Sequence, residues 1–161
     1  MTSLTLPLTQ LIHERLAVIL NYAFSRRSLE KLFSERFRGE WKYLSKTMFG
    51  ISSSKAAQAC LEFATLMRVL DDREGLSDYL RETRSPSFGV VFKNDDLTEE
   101  LHLRDVTNKL LHTKEITFSF GNPDDPVIVC TSADDKRRKR AKIRIVLLAA
   151  FCGQLMHWIE A

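Results

Sequence analysis

The stretch KEITFSFGNPDDPVIVCTS, residues 114–132, decides how this chain is expected to fold. Ile116, Phe118 and Phe120 alternate with Thr117 and Ser119, the period of two that turns one side of a strand toward a core and the other toward water. Gly121-Asn122-Pro123-Asp124-Asp125-Pro126 follows, a run of turn formers, and Val127-Ile128-Val129 then resumes with β-branched residues. This pattern predicts one β-hairpin over about residues 115–131.

On either side of the hairpin the periodicity is helical. Leu8, Leu11, Ile12, Leu16, Ile19, Leu20, Ala23 and Phe24 recur at spacings of three and four, with His13, Glu14 and Asn21 on or near the opposite side. Residues 26–49 read as one or two shorter helices with Gly39 and Gly50 as breaks. Ser52 to Ser54 can cap a further helix, whose stripe of Ala56, Ala59, Cys60, Phe63, Leu66, Met67 and Leu70 ends before Gly75. A short helix over Ser77 to Glu82 and a strand at Val90-Val91-Phe92 are weaker signals. Asp96 and Glu99 resemble a capping box that opens a helix over about 97–111, with Leu103, Val106, Thr107, Leu110 and Leu111 inward. Asp134 and Asp135 then cap a last helix that begins KRRKRAKIR and ends VLLAAFCGQLMHWI, which fills the core or an interface. The expected architecture is mainly α, a compact helical domain spanning 1–161 with one β-hairpin inserted before the C-terminal helix.

Composition agrees with a packed domain. The chain has 161 residues, 44% of them hydrophobic and 28% charged, with only 6 Gly and 4 Pro. That excludes a disordered or collagen-like chain and is too short for a barrel enzyme. A net charge of +3 does not by itself identify a polyanion partner. Cys60, Cys130 and Cys152 have neither paired spacing nor an even count, so reduced thiols in a cytoplasmic protein are expected, without disulfides or zinc. Nor does the spacing of Cys130, Cys152, His13 and His157 suggest a metal site. The longest apolar run, Ile145 to Gly153, falls well short of the ~20 residues a membrane span needs.

Chemistry is sought first in LRDVTNKLLHTKEI, residues 103–116, where Arg104, Asn108 and His112 stand at i, i+4 and i+8 of one helix. This row runs from the core boundary toward solvent. Asn108 and His112 are about 6 Å apart along the axis, so the amide can orient the imidazole and leave its other nitrogen for proton transfer. Arg104, about 12 Å from His112, would supply a cation, most easily across a two-fold axis. The plainer reading of the same residues is a helix end, with His112 against the negative pole of the dipole and Asn108 bonded to nearby backbone.

The segment TNKLLH, residues 107–112, resembles the signature of the HEPN superfamily of small helical domains, commonly Arg-Asn, a few residues, then His. Asn108 and His112 occupy the Asn and His positions, while Thr107 stands where the Arg is expected. The resemblance implies a metal-independent ribonuclease with no cofactor, often a homodimer, in bacterial defence or a toxin–antitoxin pair. Loss of the motif Arg favours the noncatalytic members of that superfamily.

A second candidate is Lys136-Arg137-Arg138-Lys139-Arg140, extended by Lys142 and Arg144, seven bases among nine positions. Unpaired cations are too costly to bury, so the first turns of the last helix should project into solvent and bind phosphates or an acidic protein partner. Alternatively, these bases form a solvated face paired with acids such as Asp71, Asp72, Glu74 and Glu100. A third candidate is the mixture of Arg26, Arg27, Lys31, Arg36, Arg38, Lys42 and Lys46 with Phe33, Phe37, Trp41 and Tyr43, which suits single-stranded nucleic acid. Phe33, Phe37, Trp41 and Leu44 also have helical spacing, and that favours a core stripe. The function expected is therefore a noncatalytic interaction or RNA-associated module without a membrane, with the ribonuclease and a structural subunit as alternatives.

Overall fold

The computed structural model describes residues 5–36, 39, 42–93, 97–132 and 140–160. Thr5–Glu35 forms α1 and Lys42–Glu74 forms α2, and the pairs Arg15–Glu62 and Phe33–Phe49 show that the two run antiparallel. Ile12, Leu16, Ile19 and Ala23 of α1 and Ala56, Ala59, Cys60, Phe63, Met67 and Leu70 of α2 are buried, as their spacing predicts. His13, placed by its spacing on or near the polar side, is instead part-buried. Its Nδ1 lies 2.7 Å from the carbonyl oxygen of Thr9 and its Nε2 2.9 Å from that of Cys152.

Gly50 does not break the second helix. It lies inside α2 and is exposed, and a helical glycine costs only about 1 kcal/mol relative to alanine, too little to stop a helix packed along its length. Ser52 to Ser54, expected as a cap, are therefore interior to α2. Gly75 does end it: its φ of 67° is left-handed, and its N–H donates to the Asp71 carbonyl at 2.8 Å. Leu76–Glu82 follows as α3.

The remaining elements are β1 (Gly89–Phe92), β2 (Thr98–Leu101), α4 (Leu103–His112), β3 (Glu115–Ser119), β4 (Val127–Thr131), β5 (Arg140–Arg144) and α5 (Ile145–Glu160). The strands form one five-stranded antiparallel sheet in the order β2-β1-β5-β4-β3. This corrects the expectation of a single hairpin in a helical domain. The hairpin exists as β3 and β4, but it is the outer part of a sheet centred on β5.

Two misreadings of sequence account for the difference. Residues 140–144, expected as helix, form the central strand, and their alternation Arg-Ala-Lys-Ile-Arg sends Ala141 and Ile143 to the core. Residues 98–101 also form a strand rather than the start of α4. The α4 helix begins at Leu103, with the backbone N–H of His102 donating to Asp105 Oδ2 at 3.1 Å. The expected caps Asp96, Asp134 and Asp135 lie outside the described residues.

Cross-strand register fixes the two faces. Leu101, Gly89, Ile143, Ile128 and Phe118 form one row toward the core, and Val91, Ala141, Cys130 and Ile116 the next. Gly89 is required there, because a Cβ on it would collide with the Lys142 carbonyl oxygen and stand 3.0 Å from Ile143 Cα. Tyr22 of α1 closes on Phe118, and Phe151 of α5 on Phe88. Of the apolar residues of α5, Ile145, Leu148, Phe151, Cys152 and Leu155 are buried in this core, while Val146 is exposed.

Candidate functional site

The first predicted row, Arg104, Asn108 and His112, lies on α4, but its members do not act on one another. Arg104 Nη1 donates to Asp71 Oδ2 at 3.0 Å and to Asp72 Oδ1 at 2.5 Å, both on α2. Asp71, whose side chain is only 3% exposed, also accepts from the backbone N–H and Oγ of Ser77 at 2.6 and 2.7 Å. Arg68 Nε lies 3.6 Å from Asp72 Oδ1, and Arg68 Nη1 donates to Asn108 Oδ1 at 2.6 Å. A continuous chain of charge and amide thus binds α4 to α2: Asp71, Arg104, Asp72, Arg68, Asn108.

The electrostatic consequences follow from that chain. The hydrogen bond from Arg104, with the charges of Arg104 and Arg68, holds the Asp72 carboxyl below its usual range. The two aspartates in turn raise Arg104 above its already high value. Arg104 is a neutralised structural cation, and Asn108 is oriented by Arg68 rather than orienting His112.

His112, exposed at the end of α4, borders a cleft of about 250 Å³ lined by Asn108, Lys109, His112, Thr113, Cys130, Thr131 and Ser132. Thr113 Oγ1 lies 2.8 Å from the carbonyl oxygens of both Glu115 and Thr131, tying the end of α4 to β3 and β4. Lys109 is close enough for its charge to act on Cys130, but burial wins and pushes that thiol up to about 12. Cys152 is likewise pushed up to about 12, and Cys60 is raised further, each mainly by burial. None is a thiolate nucleophile at neutral pH. Among the described residues no group of three or more His, Cys, Asp or Glu could hold a metal ion, and no helix is long and apolar enough to cross a membrane.

The second predicted set is divided. Lys136, Arg137, Arg138 and Lys139 lie outside the described residues. Arg140, Lys142 and Arg144 alternate along β5, so all three occupy the outer face of the central strand rather than a helix. Lys142 Nζ sits 5.3 Å from the centroid of Phe92, which lies diagonally across on β1, opposite Arg140. Arg144 grips Asp125 Oδ2 through Nε and Nη2, each at 2.9 Å. Arg140 has no partner among the described residues. Val90, Phe92 and Val127 are half-buried on this face, and Val129 is 2% exposed.

Comparison with protein-family models, curated proteins and solved structures finds no match. The residues alone therefore carry the reading.

Among the described residues, the third candidate segment forms no core stripe. Between Phe24 and Lys55 no described residue is buried: Tyr43 is 66% exposed, and Leu44, Met48 and Ile51 are exposed at i, i+4 and i+7 of one α2 stripe. Phe33 packs only partly, edge-on against Phe49, while Phe37 and Trp41 lie outside the described residues. Lys109, Phe92 and Arg68 stand outside the candidate sets that the sequence suggests. Only the Arg68–Asp72 spacing of four was a readable signal among them.

Proposed function

We propose that this chain is a noncatalytic, RNA-associated binding module that meets phosphates on the outer face of its sheet. The observation that carries this reading is the placement of Arg140, Lys142 and Arg144 at alternate positions of the central strand, on the side opposite the buried rows. Alternate residues of a strand are about 6.6 Å apart. That repeat is comparable with the spacing of successive phosphates along an extended single strand, and Phe92 adds an aromatic group beside Lys142. Neutralisation of Arg104 and capture of Asn108 favour binding over cleavage, because the cation and the orienting amide of the ribonuclease reading are both committed to α2.

The test is fluorescence anisotropy of a labelled single-stranded RNA across a salt series. Replacing both Arg140 and Lys142 with Ala should weaken binding and flatten the slope of log affinity against log salt by about 0.7 for each phosphate left without its cation. Arg144→Ala should change it less, since Asp125 already holds that charge. An unchanged slope in the double variant would sink the reading. Incubation of the wild type with RNA in EDTA should give no cleavage, and His112→Ala should leave affinity for the sheet face intact.

A second reading, a homodimeric subunit, has one observation in its favour: the exposed Leu44, Met48 and Ile51 stripe on α2. Sedimentation over a range of concentrations tests it. A dimer that dissociates in Ile51→Glu supports this reading, and a monomer throughout ends it.

A further inference from the structure

Three side chains at the cleft at the end of α4, those of Asn108, Lys109 and His112, can each present a hydrogen-bond donor to it. Asn108 has its carbonyl Oδ1 taken by Arg68 at 2.6 Å, which fixes the amide and leaves the NH2 as its unused group. Lys109 and His112, one turn of helix apart, have no ion-pair or hydrogen-bond partner among the described residues. Thr131 and Ser132 add hydroxyls, that of Thr113 being taken up by the Glu115 and Thr131 carbonyls, and no carboxylate among the described residues lines the space. The negative pole of α4 amounts to about half a unit charge, and the ammonium of Lys109 alone outweighs it. At about 250 Å³, the cleft has room for a tetrahedral oxyanion together with a small attached group.

We propose that this cleft is an oxyanion site that takes a phosphate group, bound by the Asn108 NH2, the Lys109 ammonium and the His112 ring. Arg68 is its positioning residue, acting through Asn108. Neither the helix-end reading of His112 nor a role for it in cleavage requires such a site. The inference rests on the RNA-associated reading only for the source of the phosphate. Thr131 joins the two surfaces: it lines the cleft, and it pairs across the ladder with Arg140 of the sheet face.

Calorimetric titration with inorganic phosphate at constant ionic strength tests the proposal, with AMP and a 5'-phosphorylated oligoribonucleotide as further probes. The wild type should bind phosphate at one site. Lys109→Met should lose about tenfold or more in affinity, the size expected for one charge-assisted contact. Asn108→Asp should lose as much while keeping its unfolding midpoint, because a carboxylate still accepts from Arg68 but turns an oxygen toward the anion. Arg68→Met should weaken phosphate binding without touching the cleft. Absence of phosphate binding by the wild type overturns the proposal, as does undiminished binding in both cleft variants. Competition between phosphate and the oligonucleotide identifies nucleic acid as the source. Phosphate or AMP binding without competition assigns the site to a free phosphorylated molecule, and the RNA-associated reading then stands or falls on Arg140 and Lys142.

Discussion

Arg104 illustrates how one residue can suit two very different roles in sequence and only one in three dimensions. A basic residue at the edge of a polar helix row invites a catalytic reading, yet its guanidinium closes a gap between α4 and the buried Asp71. Arg104→Met should lower the urea midpoint of unfolding without altering its steepness, since it leaves that buried carboxylate with its Ser77 hydrogen bonds but without its countercharge. The acid limb of stability has its own test at Asp72. Its folded value is depressed, so its contribution is present above the ordinary carboxylate range near 3.9 and is lost as the pH falls through the lower folded value. Melting curves between about pH 5 and pH 2 should therefore be flatter for Asp72→Asn than for the wild type, and identical curves would remove Asp72 from the account.

Glycine shows the same dependence on setting among the elements. A Cβ on Gly50 meets nothing within 4 Å, so Gly50→Ala should stabilise α2 by about 0.5–1 kcal/mol, read as a rise in melting temperature. Gly89→Ala should do the reverse, because β5 leaves no space for the methyl group. Where burial follows a strict period, the elements were legible from sequence: Ala56 to Leu70 on α2, Ile116 and Phe118 on β3, Val106 and Leu110 on α4. The strand β5 was hidden because Arg140 closes a run of five bases, and charge obscured an alternation with only Ala141 and Ile143 as its apolar members. Thr98-Glu99-Glu100-Leu101 hid β2 in another way, offering a single buried side chain at Leu101 and two glutamates that suit a helix start. His112 was recognisable as an exposed polar end. The partner of Asn108 was not, since Arg68 is forty positions away and only the packing of α2 on α4 brings them together.

At the scale of the whole molecule, the three thiols report on global integrity. Cys60, Cys130 and Cys152 all lie in the core, with burial holding them protonated. Their folded values are raised, so the stability they lend is complete below the ordinary thiol value of 9.0 and is lost as the pH climbs toward about 12. Alkylation at neutral pH should be slow and should accelerate only with denaturant, all three sites together. Rapid labelling of one thiol in the native protein would show that the core opens locally. The junction of β5 with α5 has a different kind of consequence. Arg144 ends the strand and Ile145 begins the helix, with no residue between them. A loop absorbs changes in length, but this joint cannot: one inserted residue would swing the helix by about 100° and carry Leu148, Phe151 and Leu155 out of register with the interior. Homologous chains that diverge freely in their connecting segments should keep this distance fixed, and in any alignment the boundary between residues 144 and 145 should be free of gaps.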